Sequence, residues 1–338
     1  MHRSRDVIDF SSHILPDRVV KEVKDKAIRY SSQVSRHLQT IFASPHYRDT
    51  NIHRRIELLK KYGIIYQVMS IGPTYIWLID ESDRDKRNKI VLNITKVVNN
   101  AISDIAEKFR DYFIGLATIP LLSDEAVDEL KRAILELGLR GVQIYSNIYG
   151  DPIDLDIYAP FYREVNRLGI PVFIHPQNYE YYPWIYEYNL NQIFGWPFDT
   201  TLAMGRLVFS GITKQYPRIP FVTHHVGGMV PYYRGRIVGI YSREPHSFGS
   251  KIPIEDPINE FKKFYADTAS FGVRETIEMG LEFFGEEKLV FGSDYPFGPE
   301  QGERYLRDTL LAINNMEISD EVKEKILWDN AARLLRIK

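Results

Sequence analysis

The chain has 338 residues, of which 44% are hydrophobic and 26% are charged, a balance typical of a globular protein with a large core. Its 43 basic and 45 acidic side chains give a formal charge of -2, so no net field attracts nucleic acid or an anionic membrane surface. The sequence contains no cysteine, which excludes disulfides, thiolate metal sites and thiol nucleophiles and leaves His, Asp and Glu as metal ligands.

The first residues lack the apolar segment of a signal peptide, and no uncharged apolar run reaches the roughly 18 residues of a membrane span. We therefore expect a cytoplasmic protein with neither a signal peptide nor a membrane partner. No change of composition divides the chain into halves, so residues 1–338 are expected to form a single domain, with residues 319–338 as a helical tail packed on it.

Strand and helix patterns alternate along the chain. The predicted strands are residues 7–10, 64–70, 112–119, 141–145, 171–175, 219–225, 264–268 and 289–294. The predicted helices are a polar region up to about residue 47 and residues 51–62, 85–109, 123–137, 156–168, 200–216, 273–284 and 302–314. Such alternation implies parallel strands with crossover helices, and eight units predict an α/β fold of the closed (β/α)8 type, a TIM barrel.

Ionisable side chains fall where several predicted strands end. His13 follows the first strand, His175 ends the fifth, His224 and His225 end the sixth, and Asp294 ends the eighth. The carboxyl ends of all barrel strands open onto one face, so these distant residues are expected to converge there. Neutral imidazoles with one carboxylate suit a divalent metal such as zinc, manganese or iron.

Each of these residues also has a simpler interpretation. A single histidine at a strand end is usually a hydrogen-bonded structural residue, and Asp294 could only cap a following turn. The coincidence of so many strand ends favours the metal site. The paired glycines Gly227 and Gly228 after the sixth strand add support, because glycine lets the backbone approach a ligand closely.

Several motifs at or near the strand ends, taken together, are similar to those of one known family. They are residues 8–16 (IDFSSHILP), 141–147 (GVQIYSN), 171–176 (PVFIHP), 206–211 (RLVFSG), 225–231 (HVGGMVP), 265–269 (YADTA) and 292–296 (GSDYP). The chain resembles the amidohydrolase-2 family, the branch of the amidohydrolase superfamily that contains the aminocarboxymuconate semialdehyde and resorcylate decarboxylases. The resemblance covers nearly the whole chain and implies an amidohydrolase-like barrel.

The resemblance implies roles for the residues at the strand ends. His13 and His175 would bind one divalent metal ion, with zinc favoured and manganese or iron as alternatives. Asp294 would bind the ion or handle a proton, and His225 would be the catalytic histidine outside the metal's ligands. His224 would then be only the neighbour of His225.

One position departs from the family pattern. The family has His-x-His or Glu-x-His after the first strand, and this chain has Ser11 where the first of those ligands belongs. A serine hydroxyl is a poor ligand for a divalent ion, and Asp9 lies about 7 Å further back along an extended strand. We therefore expect three protein ligands, with Asp9 or Ser11 as weak contributors and a metal that is weakly held or absent.

Aromatic residues crowd residues 179–188, after the fifth predicted strand. This predicts an aromatic-rich insertion that covers the barrel rim over a planar substrate, with Trp196 and Phe297 as further substrate-binding residues; a packed surface loop is the alternative. The spacing of Arg55 from Gly63 matches a family arginine that binds a substrate carboxylate, a role for which a guanidinium is suited. Arg236 and, more loosely, Arg243 are further candidates.

Three functions are compatible with this set of residues. The favoured one is a metal-dependent, non-oxidative decarboxylase of an aromatic or dienoic carboxylic acid, in which Asp294 or His225 delivers a proton. The alternative is a metal-assisted or metal-free hydrolase of a lactone, ester or amide, and the third is an inactive binding barrel. We expect a small-molecule carboxylate as substrate, no nucleic-acid partner, and the homodimer usual in the family.

Overall fold

The computed structural model describes residues 6–24, 47–48, 51–72, 79, 81–120, 124–177, 183–243 and 255–337. Among these residues, parallel strands follow one another around a barrel in the order β1-β2-β3 and β4-β5-β8-β9-β10-β11, and β6 pairs with β7 in a separate hairpin. The strands are β1 (Val7–Ile14), β2 (Ile64–Ile71), β3 (Phe113–Gly115), β4 (Ala117–Thr118), β5 (Val142–Tyr145), β6 (Asn147–Ile148), β7 (Asp151–Pro152), β8 (Val172–His175), β9 (Phe221–Thr223), β10 (Tyr265–Asp267) and β11 (Leu289–Val290).

The chain segment after β11 closes the circle against β1. Phe10 donates its backbone N–H to the Phe291 carbonyl at 2.7 Å, and His13 donates to the Tyr295 carbonyl at 2.7 Å. In the other direction, the Asp294 backbone N–H donates to the Ser11 carbonyl at 3.0 Å. The predicted TIM barrel is confirmed, and its closure places the residues around Asp294 directly beside those around His13.

Helices connect the strands on the outside of the barrel. They are α1 (Asp17–Lys24), α2 (Ile52–Tyr62), α3 (Arg84–Lys108), α4 (Asp124–Leu135), α5 (Ala159–Leu168), α6 (Trp196–Phe209), α7 (Ile212–Gln215), α8 (Arg234–Arg243), α9 (Pro257–Phe261), α10 (Arg274–Phe284), α11 (Glu303–Asn314), α12 (Asp320–Glu324) and α13 (Asn330–Leu335). The predicted helix 200–216 begins earlier than expected, at Trp196, and is interrupted at Gly211, whose φ is +85°.

Local sequence signals account for several helix ends. Gly63, with φ +70°, ends α2 and donates its N–H to the Leu59 carbonyl. Asp83 caps the start of α3 by accepting from the Lys86 backbone N–H at 3.0 Å. The Gly63 cap fixes where α2 stops before β2, and the Asp83 cap fixes where α3 begins.

Apolar side chains from opposite strands fill the interior of the barrel at its amino-terminal end. This interior cluster contains Ile8, Phe10, Val68, Phe173 and Val222, with residues of α13 packed against it from below. Phe173 marks its upper limit, because its ring lies 5.3 Å from the ring of His224 and 6.3 Å from that of His175. Above Phe173 the barrel is lined by the polar residues of the candidate site.

Two sequence predictions fall partly beyond the described residues. Of the polar helical region expected up to about residue 47, residues 17–24 form α1 and residues 25–46 lie outside the described residues. Of the aromatic segment 179–188, residues 179–182 also lie outside them, and Pro183–Asn189 forms a short 3-10 segment. No helix within the described part of the chain is both long and apolar enough to cross a membrane.

Candidate metal centre

Four buried side chains converge at the carboxyl ends of the barrel strands. His13, His175, His224 and Asp294 each offer one ligand atom, and these atoms all lie within 4.8 Å of one another. His13 Nε2 is 3.1 Å from Asp294 Oδ1, and His224 Nε2 is 3.3 Å from the same oxygen. The convergence expected from the sequence for His13, His175 and Asp294 is therefore present, with His224 as a fourth member.

A different partner orients the imidazole of each histidine through its Nδ1 atom. His13 Nδ1 lies 3.1 Å from the Ser70 hydroxyl, whose own proton is donated to a backbone carbonyl. His175 Nδ1 donates to the Pro176 carbonyl at 2.7 Å, and His224 Nδ1 pairs with Asp267 Oδ2. With each Nδ1 occupied, the Nε2 atoms are left as ligands, which is the arrangement that metal-binding histidines adopt.

The atoms that face the centre of the cluster lie close to one another without forming good hydrogen bonds. Within the described part of the chain, His13 Nε2, His224 Nε2 and Asp294 Oδ1 are buried and make no hydrogen bond of acceptable geometry, although the two nitrogens lie 3.1 and 3.3 Å from Asp294 Oδ1. A buried polar atom without a hydrogen bond costs about 1–3 kcal/mol, and a ligand at the centre of the cluster would satisfy all three. Three imidazole nitrogens and one carboxylate oxygen form a donor set that fits a divalent ion such as zinc, manganese or iron.

Electrostatics in the cluster favour the protonation states that a metal site needs. Burial lowers the pKa of His13 and lowers that of His175 well below its usual range, so both imidazoles are neutral. Burial alone would raise the pKa of Asp294, but the charge on His224 and contacts with the other histidines outweigh it and hold that pKa well below its usual range. Asp294 is therefore ionised.

The pKa of His224 is shifted upward, whereas the pKa values of the other histidines in the site are lowered. Burial lowers its pKa, but the facing carboxylates of Asp267 and Asp294 outweigh burial and raise the pKa to about 10. Without a metal, His224 therefore carries a proton between two carboxylates. A metal ion bound at Nε2 would displace that proton, which would couple metal affinity to pH.

His225 lies beside the cluster and outside it. Its Nε2 is 3.8 Å from Asp294 Oδ2, and its ring centroid is 3.7 Å from that of His224. Burial is the main cause that lowers its pKa, so the imidazole is neutral. Its backbone is left-handed, with φ +52°, and its N–H donates to Asp267 Oδ1 at 2.9 Å. The role of His225 as the catalytic histidine beyond the metal's ligands stays a prediction.

The structure gives His224 a position that the sequence did not suggest. The sequence suggested that it is only the neighbour of His225, whereas the structure includes it among the four potential ligands. The reason is local geometry: the chain is still extended at His224, so its side chain enters the barrel, and the turn begins at His225. The signals in the sequence were the doubled histidine and the missing ligand at Ser11.

Asp9 and Ser11 are not members of the cluster. Both oxygens of Asp9 already accept hydrogen bonds, from Gln67 Nε2 at 2.6 Å and from the Ser293 N–H and hydroxyl at 2.9 and 2.6 Å. Burial raises the pKa of Asp9 to about 6 against these bonds. The Ser11 side chain packs against Gly292 and Asp267 instead of the ligand atoms. The expected weak contributions of these two residues are therefore not supported.

Arg55 is buried beneath the cluster and supports the strand that carries His13. Its guanidinium donates to the His13 carbonyl at 2.8 Å, to the Ser12 hydroxyl at 2.7 Å and to the Gln67 side-chain oxygen. The same group lies 4.8 Å from the centre of the Tyr295 ring. These contacts give Arg55 a structural role, and binding of a substrate carboxylate by Arg55 stays a prediction.

Aromatic rings form one wall next to the ligands. The Phe297 ring centroid is 5.5 Å from that of His13, 4.9 Å from Tyr47 and 6.5 Å from Trp196. Two of the aromatic residues predicted from the sequence, Trp196 and Phe297, therefore lie at the same side of the site. The candidate arginines Arg236 and Arg243 are exposed on α8.

The paired glycines after β9 serve a purpose other than the expected approach to a ligand. Gly227 and Gly228 both have positive φ, +79° and +60°. Gly227 lies against the ring of Phe284, and Gly228 lies against the backbone carbonyl of Pro197. The close approach is thus between the His225 loop and the neighbouring helices of the protein, which fixes the loop.

A second buried polar group lies beside His175, and sequence reasoning did not identify it. Asp199, in the first turn of α6, has its Oδ2 atom 3.4 Å from the Ser146 hydroxyl and 3.3 Å from Asn147 Nδ2. Ser146 in turn donates its backbone N–H to the His175 carbonyl at 3.0 Å. Burial raises the pKa of Asp199 to about 8, so its carboxyl group is protonated at neutral pH.

Comparisons with known proteins agree with this fold. The decarboxylase of 2-amino-3-carboxymuconate 6-semialdehyde from Dictyostelium discoideum is 30% identical over 284 residues, 83% of this chain and 75% of that protein. The 5-carboxyvanillate decarboxylase structure from Sphingomonas paucimobilis has a TM-score of 0.87 at 20% identity and covers 99% of this chain and 100% of that one. The enzyme of that name from Novosphingobium aromaticivorans, complexed with manganese and 4-hydroxy-3-methoxy-5-nitrobenzoic acid, has a TM-score of 0.82 at 21% identity, with 99% and 97% coverage. The family model described as Amidohydrolase matches residues 36–337, and the chain therefore belongs to the amidohydrolase-2 family.

Proposed function

We propose that this enzyme is a metal-dependent, non-oxidative decarboxylase of a small aromatic or dienoic carboxylic acid. The observation that carries the proposal is the buried cluster of three histidines and Asp294 at the catalytic end of an amidohydrolase-2 barrel, with an aromatic wall beside it. The similar proteins named as decarboxylases of aminocarboxymuconate semialdehyde and carboxyvanillate support the reaction and the substrate class.

Decarboxylation breaks the bond between the carboxylate carbon and the rest of the substrate, releases CO2, and places a proton on the carbon left behind. A bound divalent ion supplies a positive charge that holds the substrate carboxylate or an adjacent oxygen. Asp294 and His225 are the groups placed to hold and deliver the proton, since His225 Nε2 is 3.8 Å from Asp294 Oδ2. Because His225 is neutral in the free protein, it can take up a proton from solvent and deliver it, and the ionised Asp294 beside it would stabilise the protonated ring.

The aromatic wall suits a planar substrate. Phe297 and Trp196 present ring surfaces close to His13, where an aromatic or dienoic acid would stack with its carboxylate toward the ligand cluster. Arg55 or Arg236 remains the proposed partner for a substrate carboxylate. Substitution of Trp196 by Leu is expected to raise KM more than it lowers kcat if the ring only binds substrate.

The test follows the products of purified enzyme loaded with zinc or manganese. Hydroxybenzoates and aminocarboxymuconate-type acids are incubated with the enzyme, and CO2 release is measured together with the loss of substrate absorbance. Release of CO2 that is lost in Asp294→Asn supports the proposal. Hydrolysis of pyrone lactones without CO2 would instead identify a hydrolase, and turnover of neither class would leave a binding barrel.

The metal, the oligomeric state and the location complete the proposal. Three imidazoles and one carboxylate suit zinc, and the manganese in a similar decarboxylase makes manganese the main alternative; elemental analysis decides between them. A homodimer is supported by exposed apolar residues on α6 and α8, namely Phe198, Leu202, Val238 and Ile240. Light scattering of the purified protein tests the dimer, and cell fractionation tests the cytoplasmic location.

A further inference from the structure

We propose that His224 is a metal ligand that takes the place of the one missing at Ser11, and that Asp267 positions it. This inference rests on the proposed metal-dependent function and names the residues that make the site complete. In this chain the ligand would come from the residue that follows strand β9, whereas the family pattern places it at strand β1. This inference also assigns a purpose to the small side chain at position 11.

Ser11 and His224 belong to the same local structure, although 213 positions separate them in the chain. His224 Nδ1 pairs with Asp267 Oδ2 at the end of β10. Ser11 and Asp267 both border Gly292, where an added Cβ atom would lie 2.5 Å from Ser11 Oγ and 2.9 Å from Asp267 Cβ. A change at Ser11 or at His224 therefore alters the surroundings of Asp267.

The space around Ser11 explains why a small residue is present there. A Cβ atom added to Gly292 would lie 2.5 Å from Ser11 Oγ and 2.9 Å from Asp267 Cβ, so the gap between β1, β10 and β11 is already filled. We infer that an imidazole at position 11 would crowd Gly292 and the Asp267–His224 pair. A serine leaves the volume to the Asp267–His224 pair.

Asp267 is anchored in a way that fixes the direction of the His224 ring. Its Oδ1 atom accepts the backbone N–H groups of His225 at 2.9 Å and of Ala269 at 3.2 Å, and its Oδ2 atom is left for His224. The carboxylate is therefore held by main-chain groups at two points. A histidine with one nitrogen on a fixed carboxylate and the other directed at a metal is a recurrent arrangement at metal sites.

His224 Nε2 is the atom that would bind the ion. It is fully buried, makes no hydrogen bond of acceptable geometry within the described residues, and lies 3.3 Å from Asp294 Oδ1. The competing explanation is that His224 only bridges two carboxylates as a structural imidazolium. The two explanations differ in what happens to metal binding when His224 is removed.

The test measures metal binding instead of turnover. Zinc affinity is determined by competition with a chromogenic chelator, and the absorption spectrum of the cobalt-substituted protein reports the number and type of ligands. The variants are His224→Ala, His224→Gln, which keeps most of the side-chain volume, and Asp267→Asn. His53→Ala, which removes an exposed histidine of α2, is the matched control. Circular dichroism of each metal-free variant verifies that it is folded.

We expect both His224 variants to weaken zinc binding by about 100-fold or more and to change the cobalt spectrum. Asp267→Asn is expected to weaken binding by about 10–100-fold, the usual effect of losing a carboxylate that orients a metal-binding histidine. His53→Ala should leave both measurements unchanged. Wild-type zinc affinity and an unchanged cobalt spectrum in folded His224→Gln would overturn the assignment.

The double variant Ser11→His/His224→Gly tests whether a metal ligand at position 11 can replace the one at position 224. Removing the imidazole of His224 leaves Asp267 without its ring partner, so the new histidine is expected to restore at least tenfold of the zinc affinity lost in His224→Gly alone. No recovery would refute the exchange between the two positions. If metal binding behaves as expected but no acid is decarboxylated, the proposed function fails and this inference stands. If an acid is decarboxylated but the His224 variants bind zinc like the wild type, this inference fails and the proposed function stands.

Discussion

Substitution of Asp199 by Asn should make the protein more resistant to unfolding at alkaline pH. Asp199 is 4% exposed, and its Oδ2 atom makes two long contacts, with the Ser146 hydroxyl at 3.4 Å and with Asn147 Nδ2 at 3.3 Å. Burial raises its pKa from 3.8 to about 8, and the contact with Ser146 only partly opposes this. The folded protein therefore binds the Asp199 proton far more tightly than the unfolded chain does.

The sign of the effect follows from proton uptake on folding. Between about pH 4 and pH 8 the unfolded chain carries Asp199 ionised and the folded protein carries it protonated, so the free energy of unfolding falls as pH rises through this window. One pKa unit corresponds to about 1.4 kcal/mol, so a shift of about four units sets a ceiling of about 5–6 kcal/mol. Asn cannot ionise, and the Asp199→Asn variant should lose this dependence.

Denaturant unfolding of metal-free protein at intervals from pH 4.5 to pH 8.5 provides the measurement. The difference in unfolding free energy between variant and wild type is expected to change by about 2–5 kcal/mol in favour of the variant across this range. Other titrating groups cancel in that difference. Asp128→Asn, at a carboxylate whose side chain is 77% exposed, is the control and should give curves parallel to wild type. Parallel curves for Asp199→Asn would refute the assignment of a buried, protonated carboxyl group.

Three further predictions concern the metal, the buried arginine and the His225 loop. Removal of the metal by a chelator should abolish turnover and lower Tm, and addition of zinc or manganese should restore both, as followed by activity and differential scanning calorimetry. Arg55→Met should lower the free energy of unfolding by about 3–5 kcal/mol, because the buried groups that accept hydrogen bonds from Arg55 lose their donor. Arg54→Met on the same helix should change the free energy of unfolding little. Denaturant unfolding of both variants measures the difference. Gly228→Ala should lower the free energy of unfolding by about 1–3 kcal/mol and lower kcat, because φ at this residue is +60° and the new methyl group would collide with the Pro197 carbonyl. In the control Gly235→Ala the new methyl group meets no atom within 4 Å, so this variant should be tolerated.

The barrel and much of the site could be predicted because both follow from periodic patterns. Alternating strands and helices imply a parallel closed sheet, and such a sheet brings the residues after its strands to one face. His13, His175 and Asp294 therefore converge as expected, although 281 positions separate the first from the last. Trp196 and Phe297 lie next to them for the same reason.

The distinction between His224 and His225 could not be predicted from the pattern. Period two places neighbouring residues on opposite sides of a strand, but it does not say at which residue the strand ends. In the structure the backbone turns into the left-handed region at His225 and Val226, with φ of +52° and +55°. Because of this turn, the His224 side chain enters the barrel and His225 lies beside Asp294. A histidine and a valine are not residues that predict a left-handed turn.

The partners of buried polar groups were also out of reach of the sequence. Asp9 and Arg55 appeared as candidates for metal and substrate binding because of their positions relative to motifs. Their actual partners, Gln67, Ser293 and Ser12, come from other strands or other faces, and only the strand register brings them together. Polar networks of this kind depend on which groups burial leaves without water, and a one-dimensional pattern does not contain that information.

In the proposed mechanism, metal binding and proton transfer depend on one carboxylate. Asp267 holds the ring of His224 with one oxygen and the backbone N–H of His225 with the other, so the same group fixes the proposed ligand and the proposed acid–base residue beside it. His225 and Asp294 both have left-handed backbones, φ +52° and +60°, a conformation that costs about 1 kcal/mol or more for residues other than glycine. Asp267 offsets the cost at His225 and the Ser11 carbonyl offsets it at Asp294. Loss of Asp267 should therefore disturb the distance between His225 and Asp294 as well as the metal, and the two effects should not be separable by adding more metal.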